Sequence, residues 1–293
     1  QKLINQVVLI DYTIIILGGK TMRNSKTNEL VLTGLFTAII IIMAFTPLGY
    51  IPLVVINATI IHIPVILGSL FCGPKKGAFL GFVFGFTSCL KATIVGGTLS
   101  SFVFSPVLAA SLVGTSGIFK SLFIAFVPRI LVGVIPYFVY IGIKKVLASE
   151  KKNLWGTVLN VLMSVFLAFG VYAFLGKMSE SLSQAAALGI GIAVGAVVFI
   201  VVEAVFIRKS TQVIPFVYAG VAGAMTNTLL VMGSIFVLYK DAYADAIGVA
   251  GNAVLGVITG VISFNGVIEA IVAAIIVYLV GLVLNTIKPI AAK

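Results

Sequence analysis

The sequence is short of charge and of the side chains that most chemistry needs. Only 9% of its 293 residues are Asp, Glu, Lys or Arg, histidine and tryptophan occur once each, and cysteine occurs twice. A soluble domain is about a quarter charged and about half apolar. This chain is 61% hydrophobic, with a mean hydropathy of +1.24. Those proportions exclude an ordinary soluble domain and imply a polytopic helical membrane protein. The period-two alternation of an outer-membrane barrel is absent. No HExxH or GxSxG string occurs, and one histidine leaves little room for a metal site or a Ser-His pair. The nearest approach to a phosphate-binding loop, GTSGIFKS at 114–121, has Phe119 where the second glycine must stand. No nucleotide hydrolysis, metal or cofactor is therefore expected in this chain, and no enzyme activity. Cys72 and Cys89 lack metal-ligand spacing and read as small buried apolar residues.

What is present is a series of apolar runs, each near the roughly 20 residues that a membrane crossing needs. They predict eight helices, near 29–47, 56–73, 76–95, 122–145, 155–175, 186–207, 213–239 and 264–287. The stretches 96–121 and 240–263 are rich in Gly, Ser and Thr and only moderately apolar, and read as long loops with room for short helices. The net charge of +11 has a topological explanation, because basic residues collect in cytoplasmic loops; no nucleic-acid partner is expected. With the N-terminus inside, thirteen Lys and Arg fall on the cytoplasmic side, from Lys20 to Lys293. Four, Lys91, Lys120, Lys177 and Lys240, fall outside. That asymmetry predicts an even number of spans with both termini inside. The predicted organisation is an uncertain leader over 1–21, membrane core helices over 22–148, an inserted two-helix hairpin over 149–211 and the final core helices over 212–293. The hairpin is rich in Ala, Val and Gly, and both of its flanks lie on the cytoplasmic side. Glu203, near its end, reads as a carboxylate reaching the interface.

A few polar groups stand out against this background. Arg129 follows Pro128 in FVPRILV; a charge at mid-span costs roughly 2.5–3.5 kcal/mol on insertion scales. It reads either as an arginine snorkelling to headgroups near a helix start or as an anion-binding group in a cavity. Asn265 and Glu269 lie four apart and share a helix face. Asn227 sits between Thr226 and Thr228, which could bond their own helix carbonyls. The stretch TPLGYIPLVVINATIIHIP places Pro47 and Pro52 in a capping loop, with Asn57, Thr59 and His62 at the start of the second predicted helix. Polar groups brought to a similar depth by separate elements of an apolar bundle describe a small-molecule cavity. The candidate binding residues are Asn57, His62, Arg129, Asn227, Asn265 and Glu269. On the first helix, Gly34 and Ala38 form a small-xxx-small pair that lets another helix come close.

Five strings, LVLTGLFTAIIIIMAFTPLGYIP, INATIIHIPVILGSLFCGPKKGAFLGFVFG, FVPRILVGVIPYFVY, GAMTNTLLVMG and FNGVIEAIVA, in that order, resemble the substrate-binding S components of energy-coupling factor (ECF) vitamin transporters, of the pantothenate type. The resemblance covers about 27–148 and 213–288, and the hairpin departs from the usual six-span pattern. It implies an all-α integral membrane fold with a six-span core, multi-pass in a bacterial plasma membrane, that binds a vitamin in an outward-facing pocket. It implies as partners a coupling membrane subunit and two ATPase subunits, with Gly34 and Ala38 at the position that meets the coupling subunit. Arg129 would then take the vitamin carboxylate, and the three asparagines its hydroxyl and amide groups. Glu269 would accept from a hydroxyl or hold Arg129. The alternatives are a proton-coupled secondary transporter using Glu269 and, less well supported by the residues present, a membrane enzyme using His62 and Glu269.

Overall fold

Apolar helices form wherever the chain must bury its backbone hydrogen bonds away from water. The computed structural model describes residues 25–52, 57–96, 98, 100–178, 182–209, 214–287 and 290. The expected leader at 1–21 and the side chain of Asn57 lie outside the described residues. Among these residues the order is α1 (Ser25–Phe45), a hairpin of β1 (Tyr50–Pro52) and β2 (Asn57–Thr59), α2 (His62–Cys72), α3 (Pro74–Ile94), α4 (Pro106–Val113), α5 (Ser116–Val132), α6 (Ile135–Leu147), α7 (Lys152–Met178), α8 (Gln184–Lys209), α9 (Ile214–Ile247), α10 (Val254–Val261) and α11 (Val267–Ile287). Among the described residues, seven helical stretches are long and apolar enough to cross a membrane.

The second predicted span is the exception. Residues 57–59 pair with 50–52 in an antiparallel hairpin, Tyr50 opposite Thr59, and the helix starts only at His62. At 11 residues and about 1.5 Å per residue, α2 is too short to span alone. Its path is nevertheless a return. Lys76 Nζ at the start of α3 pairs with Glu29 Oε2 at the start of α1, at 2.8 Å. At the far ends Lys91 Nζ donates to the carbonyl of Ala44 at 3.0 Å. α1 and α3 are thus parallel, and the hairpin plus α2 carry the chain back between them. Gly73, at φ 88 with Pro74 following as the first residue of α3, makes the tight turn. Every α2 residue from His62 to Phe71 is buried, as a helix apolar on all sides must be.

Two further boundaries differ from the sequence reading. α5 begins at Ser116, before the predicted 122, and Pro128 lies inside it rather than at its start. The chain then breaks at Gly133–Val134 before Pro136, which sits in the first turn of α6. Proline tolerates a first helical turn because its missing N–H has no partner there. The expected loop 240–263 is largely helical: α9 runs on to Ile247 past a kink at Tyr239, and α10 fills 254–261.

The packing has a central body and an appendage. α2, α3, α6, α9 and α11 share one large apolar cluster with α1. A second cluster joins the Ser101–Val103 turn to α9 and α10 through Phe102, Val103, Tyr239 and Val254. α7 reaches the body through Phe174, stacked on Phe264 at 5.1 Å, and through Tyr218 of α9, whose hydroxyl donates to the Leu159 carbonyl. α8 packs mainly on α7. Glu203 does not simply reach outward: its two carboxylate oxygens accept from the Thr157 hydroxyl and, at 2.8 Å, from Asn160 Nδ2, clasping α7 to α8.

Candidate functional site

The polar groups of the body converge on Glu269, in the first turn of α11. Its side chain is 6% exposed. One carboxylate oxygen accepts the Thr59 backbone N–H at 2.8 Å, reaching across 210 residues of chain to the end of β2. The other accepts the Thr228 hydroxyl from α9 at 3.0 Å. The Arg129 guanidinium on α5 lies within electrostatic reach of the same carboxylate. Four elements, β2, α5, α9 and α11, therefore meet at one carboxylate. A charge in an apolar interior is tolerable only when paired and hydrogen-bonded in this way.

Arg129 itself is buried, so it does not snorkel to headgroups. Its backbone lies against Gly81 of α3: a Cβ on that glycine would collide with the Arg129 carbonyl. The side chain runs back towards the start of its own helix, the direction in which helical Cα–Cβ bonds point. Its Nη1 donates to the Ile124 carbonyl at 2.7 Å. The guanidinium carbon sits over two aromatic faces, Phe84 at 5.4 Å and Phe104 at 4.7 Å. Aromatic faces attract a cation through the ring quadrupole.

Around this centre stand polar atoms that find no hydrogen-bond partner among the described residues. They include Asn227 Oδ1, Asn265 Oδ1 and both ring nitrogens of His62. All three side chains are buried. Leaving a buried donor or acceptor unsatisfied costs about 1–3 kcal/mol, so such a set is poor packing but a ready complement to a polar ligand. Asn227 adjoins Thr228 in α9. Asn265 lies in a π-helical turn, Ile262–Gly266, just before α11. Such turns recur at functional sites. Gly266, in that turn, lies against the Thr228 side chain, which keeps the two asparagine-bearing elements close.

A family model for the ECF transporter, substrate-specific component, matches residues 28–207. The chain belongs to this family. The match covers more than half of the sequence and runs through α7 and most of α8. A curated relative, the pantothenic acid transporter PanT of Lactococcus lactis subsp. cremoris, is 42% identical over 161 residues, 51% of this chain and 78% of the relative. The pantothenate transporter PanT of Leuconostoc mesenteroides subsp. mesenteroides is 27% identical over 277 residues, 93% of this chain and 98% of the relative. The protein is thus the substrate-specific component of a transporter, embedded in a membrane, and its polar centre is the natural candidate for substrate contact.

Among the sequence-predicted residues of this substrate-specific component, Arg129 and Glu269 are brought together. Asn227 and Asn265 stand on the two elements that Thr228 and Gly266 hold in contact. His62 opens α2, three residues after Thr59, and is fully buried. Asn57 has its backbone in β2 opposite Pro52. The candidate set left out four contributors: Thr228 and Thr59, named in the sequence but given no such role, which hold Glu269, and Phe84 and Phe104, which flank Arg129. Thr226 does bond its own helix, at the Ala222 carbonyl; Thr228 instead donates to the carboxylate. An apolar groove of about 320 Å³ between α7 and α8, lined by residues such as Val161, Ser164, Gly195 and Phe199, lacks the charged groups that a carboxylate-bearing substrate requires.

The Glu269 bridge makes a graded prediction. Glutamine can still accept from Thr59 and can donate to the Thr228 oxygen, whereas alanine strands both donors. Glu269→Gln is expected to keep substrate affinity within about tenfold, and Glu269→Ala to lose at least about tenfold more, one hydrogen bond to a charged group being worth about 1.5–3 kcal/mol. Equilibrium binding with both variants checks the order; equal affinities would mean that the bridge does not shape the site.

Proposed function

We propose that this substrate-specific component binds pantothenate with high affinity and supplies it to an ATP-driven ECF uptake transporter of a bacterial plasma membrane. The observation that carries the reading is a buried arginine within electrostatic reach of a buried carboxylate, in a bundle that also holds two buried amide oxygens, of Asn227 and Asn265, without a hydrogen-bond partner among the described residues. Pantothenate has one carboxylate, two hydroxyls and an amide. Arg129 takes the carboxylate, since a guanidinium fork matches it. Asn57, Asn227 and Asn265 serve the hydroxyl and amide groups, Glu269 accepts from a hydroxyl or steadies Arg129, and His62 is a further candidate for contact. The names of both curated relatives point to the same vitamin.

In this proposal both termini are cytoplasmic, the α7–α8 hairpin is an insertion on a six-span core, and nucleotide hydrolysis belongs to two ATPase partners that act through a coupling membrane subunit. The α1 face bearing Gly34 and Ala38 meets that subunit. Both residues are exposed, and a Cβ on Gly34 would meet nothing within 4 Å. Gly34→Leu is expected to leave vitamin binding within about twofold while abolishing co-purification with the coupling subunit, because a large side chain prevents close helix approach. Unchanged co-purification would move the partner contact to another face.

The deciding experiment is equilibrium binding of radiolabelled pantothenate to the purified chain in detergent, with other vitamins as competitors. Tight binding displaced only by unlabelled pantothenate supports the proposal. Stabilisation by a different vitamin would change the substrate. Pantothenate uptake by the reconstituted chain alone, driven by a proton gradient, would overturn the ATP-coupled reading.

A further inference from the structure

We infer that Phe104 is a positioning residue for the anion-binding arginine, and that through it the Ser101–Ser105 turn sets selectivity for a carboxylate over a neutral ligand. The inference rests on the proposed role of Arg129 and goes beyond it, because it assigns charge selectivity to a residue that need not touch the substrate.

The turn is built to hold Phe104 still. Ser105 is fully buried. It caps α4 by accepting the Leu108 N–H at 3.3 Å, and its hydroxyl is 2.8 Å from Thr93 Oγ1 on α3. Ser101 is 2.8 Å from Thr98 Oγ1. Phe102 sits edge-on to Tyr239 at 5.3 Å, and the Tyr239 hydroxyl donates to the Gly117 carbonyl at 2.7 Å. The two residues before Phe104 are thus pinned into the α9 and α10 cluster, and the residue after it is pinned to α3. What remains is a half-buried ring whose face lies 4.7 Å from the Arg129 guanidinium carbon.

The ring acts on an arginine already held at one edge of its guanidinium, by the Ile124 carbonyl. The guanidinium carbon also lies over the Phe84 ring at 5.4 Å and over the Phe104 ring at 4.7 Å, so both rings bear on where the guanidinium sits. The two rings are not equivalent. Phe84 is 2% exposed within the main apolar cluster, so its loss would disturb the core. Phe104 is only half-buried and packs at the margin of the second, smaller apolar cluster. A ring face also stabilises the cation while the site is empty, so the plane is set before the anion arrives; such preorganisation reduces what binding must spend on ordering. A neutral ligand gains nothing from this, because it presents no anion to the fork.

The test compares pantothenate with its primary alcohol analogue, in which CH₂OH replaces the carboxylate, on the full chain in detergent. Phe104→Leu and Phe104→Met are expected to weaken pantothenate binding about 5- to 30-fold, the range of a desolvated cation–π contact. Affinity for the alcohol should stay within about twofold, and Phe104→Tyr should restore the pantothenate value. Equal losses for both ligands, or no loss with pantothenate, would overturn the assignment. Arg129→Gln separates this from the proposal beneath it. If that variant binds pantothenate as the parent chain does, the carboxylate role of Arg129 fails and Phe104 with it. If it loses pantothenate selectively while Phe104→Leu does not, only the positioning role fails.

Discussion

Arg129→Ala should weaken pantothenate binding by at least about thirtyfold. Truncating one partner of a buried, hydrogen-bonded charge pair costs about 2–5 kcal/mol, and about 1.4 kcal/mol is tenfold. The fork at this position is held by the Ile124 carbonyl and by two aromatic faces, so its geometry is already committed and little of that energy is offset by ordering the side chain. The variant also leaves Glu269 without the positive charge that faces it. Arg129→Lys should recover only part of the loss. An ammonium is a point charge that cannot make the paired contact, and its shorter reach cannot serve the Ile124 carbonyl and a ligand together. Titration of detergent-purified variants measures both. Full affinity in Arg129→Ala would remove the carboxylate from this position.

Gly77→Leu and Gly133→Leu should each unfold the α3–α5 pair, lowering the thermal midpoint by about 10 °C, as expected from about 3 kcal/mol of overpacking in a chain of this size. A Cβ on Gly77 would collide with the Gly133 carbonyl, and a Cβ on Gly133 with the Gly77 carbonyl. Both obstacles are backbone, so neither can rotate away. Gly81 and Gly85 continue the same seam against the carbonyls of Arg129 and Ala125. A shift of α5 that relieved the clash would therefore carry Arg129 out of the site, and binding should fall with stability. Gly142→Leu is the matched control, since a Cβ there would meet nothing within 4 Å; it should leave both measurements unchanged. A normal midpoint for Gly77→Leu would mean that α3 and α5 do not approach this closely.

The glycine seam and the Glu269 bridge show where sequence reading stops. That the chain lies in a membrane follows from composition alone, because the cost of placing a residue in lipid is nearly a sum of local terms. The isolated polar groups, Arg129, Asn227, Asn265 and Glu269, were visible for the same reason: each is expensive where it stands, and expense in an apolar run marks function. The motif order carried the family. Element boundaries were less secure. The run at 56–73 is apolar enough for a span, but the antiparallel pairing of 50–52 with 57–59 takes its first part, and hydropathy does not record strand pairing. The run at 122–145 is likewise continuous in hydropathy yet broken at Gly133–Val134.

Only the tertiary structure decided who meets whom. The donors to Glu269 come from 210 and 41 residues away, and one of them is a backbone N–H, which every residue but proline carries and which no pattern can single out. Any helical threonine, Thr228 included, could bond its own helix carbonyls; the approach of α11 gives its hydroxyl a carboxylate partner instead. Phe84 and Phe104 look like two more of the 21 phenylalanines until folding places both rings over one guanidinium. The sequence by itself determined the solvent of this protein and the polar groups that solvent penalises. Folding determined their partners, because hydrogen bonds and cation–π contacts act over a few ångströms in space, whatever the distance along the chain.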